Sequence, residues 1–182
     1  WMISVMLPAV AGMLLLSSFV APPILARTGI RNGSVAVLLF AAALFTLLPF
    51  CEGNPPLFLT LYIAASLATS ITITAAFTMI AETVDWHDWK FATRREGLLS
   101  SGISLATKVG MAIGTAGIAF MLAATGYVPD AVTDGARDAI RWTYYGGTIA
   151  LLLLQAVVFL FWPMDGQHDR IREDITARQR PI

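Results

Sequence analysis

Lys108 is the only charged residue in the apolar stretch from Gly97 to Ala124. An ammonium at membrane depth is costly unless it faces water or a partner, which marks Lys108 as a candidate for function. At about 100° per helical residue, Ser101, Ser104 and Thr115 fall within roughly 40° of it, and Ala106, Gly110, Gly114 and Gly117 fall on the opposite side. The polar stripe can line a hydrated path in which the ammonium donates to solute hydroxyls or a carboxylate. The glycine spacing suits close packing by another helix. A second stripe, Ser66, Thr69, Ser70 and Ile73, follows the same periodicity and could share a cavity with Lys108; the plain alternative is that these hydroxyls bond back to their own helix. A third cluster runs from Glu82 to Glu96, where four acids (Glu82, Asp85, Asp88, Glu96) and three bases (Lys90, Arg94, Arg95) are mixed as in an ion-pair network. Its alternative is a solvated loop placed by the charge rule.

The elements that must carry these residues are membrane helices. Hydrophobic residues make up 57% and charged residues 13% of the 182, against roughly 25% charged in an ordinary soluble domain. At about 20 residues per crossing, five segments qualify: 2 to 25, 33 to 51, 57 to 81, 97 to 124 and 140 to 162. The expected fold is all-α and polytopic. Pro8 predicts a kink in the first segment and Pro22-Pro23 its stop, followed by a tight basic turn from Arg27 to Asn32. The fifth segment reads as a lipid-facing helix.

Alternating loops put Arg27, Arg31, Lys90, Arg94, Arg95, Arg170, Arg172, Arg178 and Arg180 on one side and only Arg137 and Arg141 on the other. Short basic loops stay cytoplasmic, so the loop 82–96 and the tail 163–182 are expected inside and the turns near 52–56 and 125–139 outside. Trp86, Trp89 and Trp162 mark the inner interface, and Tyr127, Trp142, Tyr144 and Tyr145 the outer. The tail, mixed in charge and without an apolar run, is expected to be a solvated helix or disordered. The chain begins at Trp1 inside a hydrophobic segment and looks truncated, like the end of a larger helical protein.

Other chemistries find little support. The single Cys51 makes neither a disulfide nor a thiolate metal site, neither histidine lies in a span, and no basic patch suggests nucleic acid. Ser104 with Lys108 one turn on is the sole pair resembling a Ser-Lys dyad, without the strained elbow that such a nucleophile needs. A noncatalytic scaffold would not require a lysine at membrane depth.

Two motifs carry a resemblance. Leu25-Ala26-Arg27-x-Gly29-x-Arg31 resembles the basic loop joining paired helices in the major facilitator superfamily, though its usual acid is missing. The run from Glu82 through Asp85-Trp86-His87-Asp88-Trp89-Lys90 to Arg94-x-Glu96, with Lys108 twelve residues later and Gly126-Tyr127-Val128-Pro129 beyond, resembles the glycoside-pentoside-hexuronide:cation symporters, the melibiose-permease-like family. The resemblance implies that the five spans are helices eight to twelve of a twelve-helix transporter. Residues 1–51 would then close the first inverted repeat of its C-terminal half, and 57–162 would supply three more helices. It implies cation-coupled symport of a sugar, glycoside or hexuronide across a bacterial inner membrane, with Glu82, Asp85 and Arg94 in a cytoplasmic gate and Lys108 at the central cavity. Its partners would be the solute, a coupling cation (Na+, H+ or Li+) and the N-terminal half of the same protein, where the cation site would lie. No resident cofactor or metal is implied. Glu82 stands where the family usually has Asp, and Ile73 and Ala76 replace an aromatic and an amide near the sugar path, so melibiose itself is not implied. A transporter of a lipid-like amphiphile is the alternative within the fold.

Overall fold

The computed structural model describes residues 2–93, 95–127, 132–163 and 168–179, and every regular element among them is helical. Among the described residues, five helices are long and apolar enough to cross a membrane: Pro8–Thr28, Ile30–Cys51, Pro55–Phe91, Glu96–Ala124 and Asp134–Leu160. They match the five segments read from the sequence, with ends displaced for identifiable reasons.

Helix α1 (Met2–Thr28) runs straight on through Pro22 and Pro23, where the sequence suggested a stop. Proline lacks an amide donor and crowds the carbonyl four residues back, but packing can carry a helix across it in apolar surroundings. Here Ala21 and Leu25, on either side of the pair, are buried in one cluster with Ile71 and Ala75 of the third helix. The chain breaks instead at Gly29, whose φ of 78° is open to glycine without penalty. Helix α2 (Ile30–Leu47) follows at once, and the Gly33 amide donates to the Gly29 carbonyl at 3.0 Å. Gly33 is also needed at this corner: a Cβ there would overlap Thr28 Oγ1 and stand 3.3 Å from Leu25 Cδ2. The six-residue turn expected at 27–32 thus narrows to a single glycine.

A 3-10 turn, Leu48–Cys51, ends α2. Asn54 then caps helix α3 (Pro55–Phe91), accepting from the Leu57 amide at 3.5 Å, with proline at the first helical positions where no donor is wasted. Neither glycine nor proline occurs from Leu57 to Glu96, and α3 continues for 37 residues. At 1.5 Å per residue that is about 55 Å, against about 30 Å of hydrocarbon. Residues 82–91, expected in a loop, are therefore helix. Ala92, in the left-handed region at φ 49°, closes it by donating its amide to Asp88 O at 2.8 Å.

Residues 1–94 and 149–182 form one compact unit and 95–148 a second. In the first, α1 and α2 both pack along α3. Its core includes Leu38, Ala41 and Leu48 besides the cluster around Ala21. In the second, α4 (Glu96–Ala124) has no buried residue. It ends where Gly126 takes φ 64° and the Tyr127 amide returns to Leu122 O at 3.1 Å, as glycine-terminated helices do. Helix α5 (Asp134–Trp142) starts earlier than expected because Thr133 Oγ1 accepts from the Ala136 amide at 3.2 Å. A π-helical turn, Thr143–Gly147, follows α5 in the chain and precedes α6 (Thr148–Leu160). Most of the apolar side chains of α6 are exposed, Leu151 and Val158 among them, as a lipid-facing helix requires. The tail holds α7 (His168–Gln179), which rests against α3.

Candidate functional site

Lys108 is exposed on α4 and, among the described residues, makes no hydrogen bond or ion pair. Ser101 and Ser104 lie on its stripe as expected, with their hydroxyls donating to Leu98 O at 2.9 Å and Ser100 O at 3.0 Å. The Ser104 proton is thus directed along its own helix and not toward Lys108, the opposite of a dyad. Thr115, two turns on, is exposed. On the other side of the helix, nothing among the described residues stands within 4 Å of a Cβ built at Gly110, Gly114 or Gly117.

The hydroxyls of α3 divide by type. Thr60, Thr69, Thr72, Thr74 and Thr78 all donate to carbonyls three or four residues back, at 2.8 to 3.3 Å, the alternative that the sequence left open. Ser66 and Ser70 are buried, 7% and 5% exposed, and make no such bond to their own helix. Thr69 is half-buried and Ile73 is 48% exposed. The stripe is one face of the helix but not one environment. It lies in the first unit and the Lys108 stripe in the second.

The charged run is ordered by the extension of α3. Glu82 is 4% exposed, and Asp85 follows one turn later, half-buried. The third gate residue expected, Arg94, lies outside the described residues, as do Val128 and Pro129 of the outer motif. Around the carboxylates, aromatic rings organise the helix end. The Lys90 ammonium sits 4.5 Å from the Trp86 ring centre and 5.7 Å from that of Phe91, a cation–π arrangement that leaves the charge in water while covering the rings. His87 Nδ1 is 2.8 Å from Thr93 O and its ring is 4.8 Å from Phe91. No group of three His, Cys, Asp or Glu able to hold a metal occurs among the described residues.

Two contacts were not anticipated from sequence. Ser17 of α1, fully buried, donates to Leu14 O at 2.7 Å and has its Oγ 3.4 Å from Thr74 Oγ1 of α3, a close approach of the two helices. The signal for it is the small residue pair Ser17 and Ala21 at i, i+4, which permits close approach. The second is at the tail, where Trp89 Nε1 donates to Asp174 Oδ2 at 3.0 Å and Ile171 is 5% exposed. Of the solvated helix or disorder expected for the tail, the helix is found over His168–Gln179, with one face docked on α3.

Comparison with known proteins matches residues 1–166 to the family described as MFS/sugar transport protein. Among curated proteins, the chain is 34% identical over 101 residues to the isoprimeverose transporter of Lactiplantibacillus pentosus, which takes in 55% of this chain and 21% of that one. It is 28% identical over 167 residues to the glucuronide carrier protein homolog of Escherichia coli, covering 90% of this chain and 36% of the relative. An uncharacterized symporter of Synechocystis is 29% identical over 136 residues, or 70% and 25% of the two chains. The chain therefore spans well under half the length of these relatives. No solved structure gives a significant match.

Proposed function

We propose, on the premise that this chain belongs to the MFS/sugar transport protein family, that it supplies helices eight to twelve of a secondary active transporter carrying a sugar, glycoside or hexuronide with a cation. The observation that carries the reading is Lys108: one exposed ammonium in the middle of a 29-residue helix that otherwise has no charge after Glu96. A bilayer tolerates such a residue where it faces a hydrated cavity or a partner. Lys108 then meets the solute, donating to hydroxyls, and attracts a carboxylate where the solute has one. The relatives' names include an isoprimeverose transporter and a glucuronide carrier protein homolog.

In this reading Ser101, Ser104 and Thr115 of α4 and Ser66, Thr69, Ser70 and Ile73 of α3 border the solute path, and Gly110, Gly114 and Gly117 receive a helix of the other half. The coupling cation, Na+, H+ or Li+, binds chiefly in that half. Glu82, Asp85 and Arg94 join the two halves on the cytoplasmic side when the cavity opens outward, and solute and cation shift the population between the two openings. The 82–96 region and the C-terminus lie in the cytoplasm.

Uptake of labelled solutes by the full-length protein in membrane vesicles tests this. A glucuronide and a neutral disaccharide glycoside are offered under imposed sodium, lithium or proton gradients. Accumulation of either, collapsing when the gradient is dissipated, is expected. Flux of both that never exceeds equilibration, whichever gradient is imposed, would refute coupled transport.

A further inference from the structure

The end of α3 and the tail helix each lack what an isolated helix needs. Residues 82–91 extend past the apolar span by about 15 Å, and α7 has 12 residues; segments this short are marginal helices in water on their own. They touch. On α7, Ile171, Asp174 and Ile175 follow i, i+3, i+4 spacing and so share a face: Ile171 is buried, Ile175 half-buried, and Asp174 accepts the Trp89 bond. On α3, Trp89 lies seven residues beyond Glu82 and four beyond Asp85. At about 100° per residue these three fall within roughly 40° of a single line along the helix. The tail is therefore fastened to the face that bears both carboxylates.

We propose that α7 braces the extension of α3, making Trp89, Ile171 and Asp174 positioning residues for Glu82 and Asp85. The brace rests on the transport reading for its purpose but not for its existence. The indole N–H gives direction, because only one orientation of α7 puts Asp174 on it. Ile171 gives the seat. When the bond and seat are intact, the last turns of α3 stay helical and the two carboxylates keep their heights one turn apart.

Hydrogen–deuterium exchange of the purified full-length protein, read on peptides covering 82–91 and 168–179, tests the brace with three variants. Trp89→Phe keeps a ring and loses the donor, Ile171→Asp loses the seat, and Asp174→Asn keeps an acceptor oxygen. Exchange should quicken in both segments for the first two, about fivefold for Trp89→Phe, the ratio expected for one exposed hydrogen bond, and by more for Ile171→Asp, which puts a charge in a buried seat. Asp174→Asn should stay near wild type. In vesicles, the first two should lower the maximal uptake rate with little change in the concentration giving half-maximal uptake. If residues 168–179 exchange faster while 82–91 do not, α7 is a passenger and the proposal fails. It fails equally if both segments loosen and uptake is unaltered. Wild-type protein that accumulates no solute would refute the transport reading alone, since the exchange of the two segments still decides whether they support each other.

Discussion

Replacing Gly33 by alanine sets two effects of similar size against each other. Alanine inside a helix is worth about 1 kcal/mol more than glycine. The new Cβ, however, would overlap Thr28 Oγ1 and stand 3.3 Å from both Thr28 Cβ and Leu25 Cδ2. Rotating Thr28 removes the overlap but breaks its 2.8 Å bond to Ile24 O, at about 1 kcal/mol. The two remaining close approaches require α2 to shift, and overpacking of this kind adds about 1 to 3 kcal/mol. With the lower figure, since Thr28 is exposed, the net loss is about 1 kcal/mol, or roughly 2 to 4 °C in melting temperature for a body of this size. Without Oγ1 the hydrogen-bond loss drops out and the two remaining effects cancel, so in a Thr28→Ala background the same substitution should be about neutral. The assay is the melting of detergent-solubilised full-length protein for the wild type, both single variants and the double variant, read as a cycle. Gly33→Ala melting above the wild type, or strict additivity, would refute the steric account of this corner.

Lys108→Ala should abolish active uptake yet leave melting near the wild type, because it removes a desolvation cost along with the contact, and Lys108→Arg should rescue poorly, a planar fork replacing a compact ammonium; normal uptake by the alanine variant would take Lys108 off the path. In a Cys51→Ser background, Asp88→Cys in sealed right-side-out vesicles should react with an impermeant maleimide only after permeabilisation, and immediate labelling would invert the proposed topology. Ser17→Leu should cost about 1 to 3 kcal/mol by overpacking the contact with α3, and Ser17→Ala less than about 1, both read by melting. A leucine variant as stable as the wild type would show that α1 and α3 do not meet closely there.

The five spans were legible because an apolar run of membrane length has few other uses. Their ends were not. Pro22-Pro23 reads as a stop when local backbone chemistry is considered alone, and burial of Ala21 and Leu25 overrides it. The charged run after Ala81 looked like a loop, although the absence of glycine and proline up to Glu96 favoured a helix; charge marked the membrane boundary, and backbone propensity marked the end of the helix. Hydroxyl spacing on α3 was visible, but whether a hydroxyl points along its own helix depends on its rotamer and on neighbours, since Ser101 and Ser104 do so on α4. That choice separated the threonines from Ser66 and Ser70. The seat of α7 depends on two isoleucines and an indole 85 positions away from its acceptor, a pairing that no local window contains.

Because α3 is one unbroken rod about 55 Å long, it acts as a lever as well as a wall. Take its pivot near residue 69, the middle of the apolar part. Trp89 is then about 30 Å away along the axis, and a tilt of about 10° would sweep it sideways by about 5 Å, roughly the width of one helical turn. A displacement too small to widen a passage at the pivot would thus be magnified at the far end, where α7 is attached and would be carried along. A kinked or interrupted helix would absorb that tilt at its break. In this chain the stretch from Leu57 to Phe91 has no glycine or proline at which to bend, so a tilt at mid-membrane would carry Glu82, Asp85 and the tail together.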